Sequence, residues 1–225
     1  MQNKKIITLG LILLSVILLI TAAITYIPVS RIEKNIDFTI INPDPSDPDL
    51  PTDLPIYLSE ELRVLRLTYP QWLWLGDPQF ITLSIQPKAN DSTLQSSAES
   101  SQIKYHVYLE ARLDLGLVSL LSGDTVTEAV NANQPVQFLW KVEAEIHGMT
   151  KGNLWLFVNI TDSKNGDTWQ LTRFALPLQI ESKKFIGLPL SSARTLTLIG
   201  FILVFSAGLV LLLFQPRNSK NSGMI

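Results

Sequence analysis

Residues 105–115 read Tyr-His-Val-Tyr-Leu-Glu-Ala-Arg-Leu-Asp-Leu. Tyr105, Val107, Leu109, Ala111, Leu113 and Leu115 fall on one side of an extended chain, and His106, Tyr108, Glu110, Arg112 and Asp114 fall on the other. Successive side chains of a strand point to opposite faces, so this alternation marks a strand with one face in a core and one in water. The pattern recurs at Val136, Phe138, Trp140, Val142, Ala144 and Ile146, set against Gln137, Leu139, Lys141, Glu143 and Glu145. A shorter version, Ile81, Leu83 and Ile85, follows the turn signal Gly76-Asp77-Pro78. Residues 154–160 are apolar on both faces, as a central strand requires.

Turn chemistry separates these runs. HGMTKG at 147–152 closes one predicted hairpin and DSKNGD at 162–167 closes the next, with Asn165-Gly166 supplying the positive φ such loops need. A three-stranded antiparallel meander is therefore expected over residues 135–180. Strands near 62–69, 79–86, 103–115 and 123–130 bring the total to about seven, which predicts a mainly β fold, an Ig-like antiparallel β-sandwich. Residues 31–41 read as a short extended segment. The Ser-rich run 88–102 reads as an excursion between strands, and GLVSLLSG at 116–123 as an apolar crossover forming a short strand or helical turn.

The stretch from Pro135 through Phe138-Leu-Trp140-Lys-Val142 to Gly152 and Leu154-Trp-Leu156 resembles extracytoplasmic Ig-like domains of bacterial membrane proteins, in which an aromatic-rich strand meets a glycine turn and a further apolar strand. The resemblance covers about a fifth of the chain and concerns packing, so it implies a fold and transfers no functional residue.

Outward from the β-rich middle, two uncharged apolar stretches bracket the chain. Residues 6–27 and 195–214 are each long enough to cross a hydrocarbon core of about 30 Å as a helix. The predicted organisation is a cytoplasmic tail (1–5), a first span acting as signal anchor (6–27), a juxtamembrane segment with a Pro/Asp-rich spacer (28–56), and an extracytoplasmic β-sandwich (57–182). A connector (183–194), a second span (195–214) and a cytoplasmic tail (215–225) complete it. Lys4 and Lys5 before the first span, and Arg217 and Lys220 after the second, are opposed by Arg31, Lys34, Lys183, Lys184 and Arg194 on the domain side. A short basic head before a long apolar run sets the orientation, with both termini on the cytoplasmic side of the cell membrane. Thr21-Ala22-Ala23 also offers a signal-peptidase pattern, and cleavage there exports the domain equally well.

Composition excludes several chemistries. With no cysteine, the chain has no thiol nucleophile, Fe–S cluster or Cys-based zinc site. A net charge of −2 lacks the basic footprint of a nucleic-acid binder. Five prolines within 42–55 rule out a helix or central strand there, and the aspartates Asp44, Asp47, Asp49 and Asp53 lack the glycine turn and terminal glutamate of an EF-hand.

Four motifs bear on a site. Ser101-Gln-Ile-Lys104 matches Ser-x-x-Lys, but its companion Ser-Asp-Asn and Lys-Thr-Gly strings are missing and Ser101 sits in a loop. Glu143, Glu145 and His147 share a strand face at spacing two and resemble a ligand set, although a solvated face produces the same pattern and the chain has only two histidines. Asn90-Asp-Ser92 and Asn159-Ile-Thr161 fit the glycosylation sequon, the second inside a predicted strand. Most weight falls on Tyr69-Pro-Gln-Trp-Leu-Trp-Leu-Gly-Asp77. Trp72 and Trp74 share one face and Leu73 and Leu75 the other, so one pair stays outside the core. A covering loop would make the tryptophans ordinary packing; exposed, they suit a protein contact, a bilayer headgroup region or, less well, carbohydrate stacking. Tyr69, Trp72 and Trp74 are thus the candidate partner-contact residues. Trp140, Trp155 and Trp169 read as packing.

The expected function is a membrane-anchored, non-enzymatic β-sandwich that binds a protein or the envelope, needs no cofactor or metal, and has the lipid bilayer as its constant partner. The alternative is a structural subunit of a larger membrane complex assembled through its spans. A hydrolase ranks third, because no nucleophile, base and orienting group assemble from these residues.

Overall fold

The computed structural model describes residues 2–41, 54, 58, 61–88 and 104–213. Apart from Leu54, which packs against the core, the acidic spacer lies outside the described residues, as do the Asn90 sequon and Ser101 of the Ser-x-x-Lys string. The chain divides into a helical unit made of residues 1–28 and 185–225, and a β-unit made of residues 29–184.

The β-unit holds ten strands among the described residues: β1 (Arg31–Thr39), β2 (Leu62–Pro70), β3 (Trp72–Trp74), β4 (Gln79–Pro87), β5 (Tyr105–Leu115), β6 (Val118–Leu120), β7 (Thr125–Ala129), β8 (Val136–Ala144), β9 (Gly148–Asp162) and β10 (Thr168–Lys183). They form two five-stranded sheets, ordered β1-β2-β4-β8-β6 and β3-β10-β9-β5-β7. The inward rows are those the alternation marks. Leu109, Ala111 and Leu113 of β5, Ile81, Leu83 and Ile85 of β4, and Phe138, Trp140 and Val142 of β8 are fully buried in one core with Leu154, Leu156, Val158 and Ile160 of β9. Each such large side chain contributes about 1.5–3 kcal/mol relative to exposure. Trp140 satisfies its buried indole N–H by donating to the Asp124 carbonyl at 3.2 Å.

Three expectations need correction. The count rises from about seven strands to ten, because β1, β3 and β6 also pair; β3 and β6 have three residues each, too few to display a period. The meander over 135–180 is only half realised. β9 and β10 form the expected hairpin, with Gly166 at φ 76°, but β8 pairs with β4 and β6 in the other sheet. Residues 145–147 therefore cross between sheets. A one-sided alternation shows that a strand covers a core and is silent on which strand lies beside it, so the default of pairing sequence neighbours fails here. Finally, the fold is not purely antiparallel, since β3 runs parallel to β10.

Gly152 also has a role other than turning the chain. It sits inside β9 opposite Leu115, where an added Cβ would lie 1.9 Å from the Asp114 carbonyl oxygen. Close approach of β5, not a turn, requires glycine there.

One inward position of β2 carries a charge. Arg63 is fully buried, paired with Glu61 at 3.0 Å, and donates to the carbonyls of Asn131 at 2.9 Å and Gln134 at 3.0 Å. It ties the start of β2 to the loop before β8. One step along the β1–β2 ladder, half-buried Arg173 donates to the carbonyl of Thr39, the partner of Leu62, at 3.2 Å, and desolvation lowers its pKa.

In the helical unit, α1 (Gln2–Ile24) and α2 (Leu190–Leu213) contain apolar runs of 19 and 22 residues, or about 29 and 33 Å of helix. Two such helices flanking a central domain match a two-span membrane protein with cytoplasmic termini and an extracytoplasmic β-domain. Leu18 and Leu11 occupy the space beside Gly200 and Gly208. Arg194 donates to the Thr25 carbonyl at 2.7 Å, just past the end of α1, and its guanidinium lies 4.9 Å from the centre of the Tyr26 ring. A cation placed there satisfies an orphan carbonyl and complements the helix dipole.

Candidate functional site

The segment after β2 turns at Gln71, whose N–H donates to the Ser30 carbonyl at 2.9 Å. β3 then runs beside the end of β10 in the register Trp72 with Glu181, Leu73 with Ser182, and Trp74 with Lys183. Leu73 and Leu75 are buried, so face parity turns Trp72 and Trp74 outward, where both are half-buried. Leu75 extends the anchor, donating its N–H to the Lys183 carbonyl at 2.9 Å.

The two indoles meet edge to face, with ring centres 4.5 Å apart at 80°. That is a favoured quadrupole geometry. Lys183 Nζ lies 5.6 Å from the Trp72 ring centre and pairs with Glu181 at 3.0 Å. The parallel register places these four side chains on one face, while Ser182 and Leu73 point to the core. Beside them is an open depression of about 500 Å³ lined by Trp74, His147, Glu181, Lys183 and Lys184. His147 comes from the crossover between β8 and β9, and both it and Lys184 are exposed.

Of the three candidate contact residues, Trp72 and Trp74 come together on this face. Tyr69 is 4 % exposed and belongs to the core, with Lys34 Nζ 5.7 Å from its ring centre. The sequence reading missed Glu181, Lys183 and Lys184. They are more than a hundred residues from Trp72, and no local signal announces a parallel pairing.

The other motifs find ordinary settings. β8 ends at Ala144, so Glu145 and His147 leave the strand face they were expected to share with Glu143. Among the described residues no cluster of three or more His, Asp or Glu is placed to hold a metal. Asn159 Nδ2 donates to Glu110 at 2.9 Å within the β5–β9 face. Lys104 lies over the Tyr105 ring at 4.8 Å. Trp169 packs edge-on to Tyr105 at 6.4 Å, and Trp155 stacks with Phe157 at 6.4 Å on the outer side of β9.

What the Trp72–Trp74 face offers chemically is flat apolar surface and ammonium groups partly offset by one carboxylate. It suits stacking, burial and contact with anionic or polar groups.

No family model matches the chain, and no curated protein matches it. Among solved structures, the PapD-like domain 7 of human CEP192 aligns at 9 % identity over 51 % of this chain and 78 % of that one, with a TM-score of 0.28. AggA, the major subunit of aggregative adherence fimbriae type I from Escherichia coli, aligns at 10 % identity over 68 % and 96 %, with a TM-score of 0.26. A FixG-related protein from Vibrio parahaemolyticus gives 12 % identity over 68 % and 96 %, with a TM-score of 0.21. Scores at this level carry no argument, and the fold rests on the strand pairing itself.

Proposed function

We propose that the protein is a non-enzymatic membrane-anchored binding module, an Ig-like sandwich held at the extracytoplasmic surface that recognises a component of the envelope through the face bearing Trp72 and Trp74. The observation that carries this reading is the outward tryptophan pair. Burying Leu73 and Leu75 turns two large aromatic rings towards solvent, where a binding surface gains most from them. The Ig-like element is supported by two sheets closing on one core with chain crossings between them.

The test is in situ photo-crosslinking from position 74 of the full chain, repeated with Trp72→Ala and with both spans replaced by an unrelated pair. Adducts lost in Trp72→Ala and retained after the span exchange support recognition by the β-domain. Adducts that vanish only with the native spans assign the contact to the helices and remove this reading.

A further inference from the structure

The Trp72–Trp74 face lies at the end of the β-unit where the chain both enters and leaves. Ser30, just before β1, accepts the Gln71 hydrogen bond, and Lys183, the last residue of β10, accepts the one from Leu75. The residues on either side of β3 are therefore bonded to positions one residue in from each end of the unit. Residues 25–30 separate α1 from β1, and residues 184–189 separate β10 from α2. Connectors of that length extend at most about 25 Å. Two short tethers leaving from one end keep that end near the bilayer surface at high effective concentration, whatever else the domain meets.

The side chains there match that environment. Trp72 and Trp74 have the amphipathic rings that settle at headgroup depth, and Lys183 and Lys184 have stems that lie on apolar surface while the ammonium reaches phosphate. The crossover between β8 and β9 adds Ile146 to the same end, because Ala144 accepts a hydrogen bond from Gly76 and Gly148 pairs with Ser182. Ile146 is 57 % exposed and adds apolar surface to that end.

We propose that this end of the β-unit docks on the lipid headgroups of the membrane that holds α1 and α2, with the Trp72 and Trp74 indoles at headgroup level and the Lys183 and Lys184 ammonium groups on lipid phosphates. The inference rests on the reading of this face as a binding surface and names its partner. A protein ligand at the same face is the competing outcome.

All five tryptophans lie in the β-unit, so their emission reports on it without interference from the spans. The full chain is reconstituted into phosphatidylcholine vesicles, with and without phosphatidylglycerol, containing lipid that carries a headgroup-proximal nitroxide. The expected result is contact quenching of tryptophan emission, most of which disappears in W72F/W74F. In K183Q/K184Q, whose changes are at the surface, quenching falls in the phosphatidylglycerol vesicles and changes little without that lipid. Quenching that is absent in the wild type, or unchanged in W72F/W74F, overturns the proposal. Absent quenching in vesicles combined with protein adducts from position 74 in native membranes overturns lipid docking alone and leaves the binding-module reading standing. Lipid adducts from position 74 together with quenching support both.

Discussion

Removing the Arg63 guanidinium tests how far one buried charge holds the β-unit together. Arg63 is fully buried at an inward position of β2, and Glu61 is 3 % exposed. Both carboxylate oxygens lie 3.0 Å from Nη2, and the same guanidinium donates to the carbonyls of Asn131 and Gln134. Arg63→Met keeps much of the volume but strands Glu61 as a buried carboxylate and leaves two loop carbonyls without their donor. Breaking one side of a buried pair costs about 3–5 kcal/mol. In a unit of this size that lowers the midpoint of thermal unfolding by roughly 6–20 °C, at about 2–4 °C per kcal/mol. Near-UV circular dichroism of the full chain in micelles follows the transition through the buried Trp140. Arg63→Met/Glu61→Leu removes both charges, and replacing a whole buried pair with apolar groups is close to neutral or better. The double variant is therefore expected to recover most of the loss, apart from the share due to the loop carbonyls. A single variant costing under about 1 kcal/mol, or a double variant as unstable as the sum of the two singles, refutes the view that the unpaired carboxylate dominates.

Gly152→Ala places a methyl 1.9 Å from the Asp114 carbonyl oxygen, with backbone atoms as the obstacle; a loss of about 3 kcal/mol or more in urea unfolding is expected, at the upper end of overpacking costs. Arg194→Met removes the charged donor to the Thr25 carbonyl and the cation over Tyr26. A weakening of the helix pair by about 1.5–3 kcal/mol is expected, read as a lower yield of disulfide trapping between cysteines placed at Leu18 and Gly200 of this cysteine-free chain. Gly200→Leu acts at the same interface by forcing the Leu18 side chain, now 3.5 Å from the added Cβ, out of the way, and should reduce pairing of α1 and α2 as measured by energy transfer between labels on their outer ends. Ile186→Asn relieves a β-branched residue at φ 50° in the turn where Phe185 and Leu188 exchange hydrogen bonds. Asparagine suits that conformation better by about 1 kcal/mol, so the Leu188 amide should exchange about five times more slowly.

Strand faces were legible in the sequence because period two is a local property. Leu109, Ala111 and Leu113 could be assigned to the core from their own neighbours alone. Sheet membership was hidden for the opposite reason: β8 and β9 are adjacent in sequence yet belong to different sheets, and nothing in residues 145–147 states which edge they reach. Arg63 shows a second limit. It occupies the inward row that continues through Leu65, Leu67 and Tyr69, and a charge there reads as an outward residue until its partners Glu61, Asn131 and Gln134 are in place. Tyr69 carried a signal that was available and passed over. It shares parity with Leu65 and Leu67, which puts it inside, whereas Trp72 and Trp74 begin a new strand with its own parity.

That new parity explains how so short a strand fixes a surface. β3 has three residues and one strand neighbour, so ladder hydrogen bonds alone hold it weakly. Its orientation comes from the core: Leu73 is fully buried, Leu75 nearly so, and each indole lies one residue from one of them. A slip of one residue would bury Trp72 and Trp74 and expose both leucines, exchanging two compact side chains in a filled core for two much larger ones. Lys183 and Glu181 reinforce the choice from the neighbouring strand, since the parallel register places both beside the outward rings. The tryptophan face is therefore set by packing at residues that never reach the surface, and the end of the chain that pairs with it is the one that leads into α2.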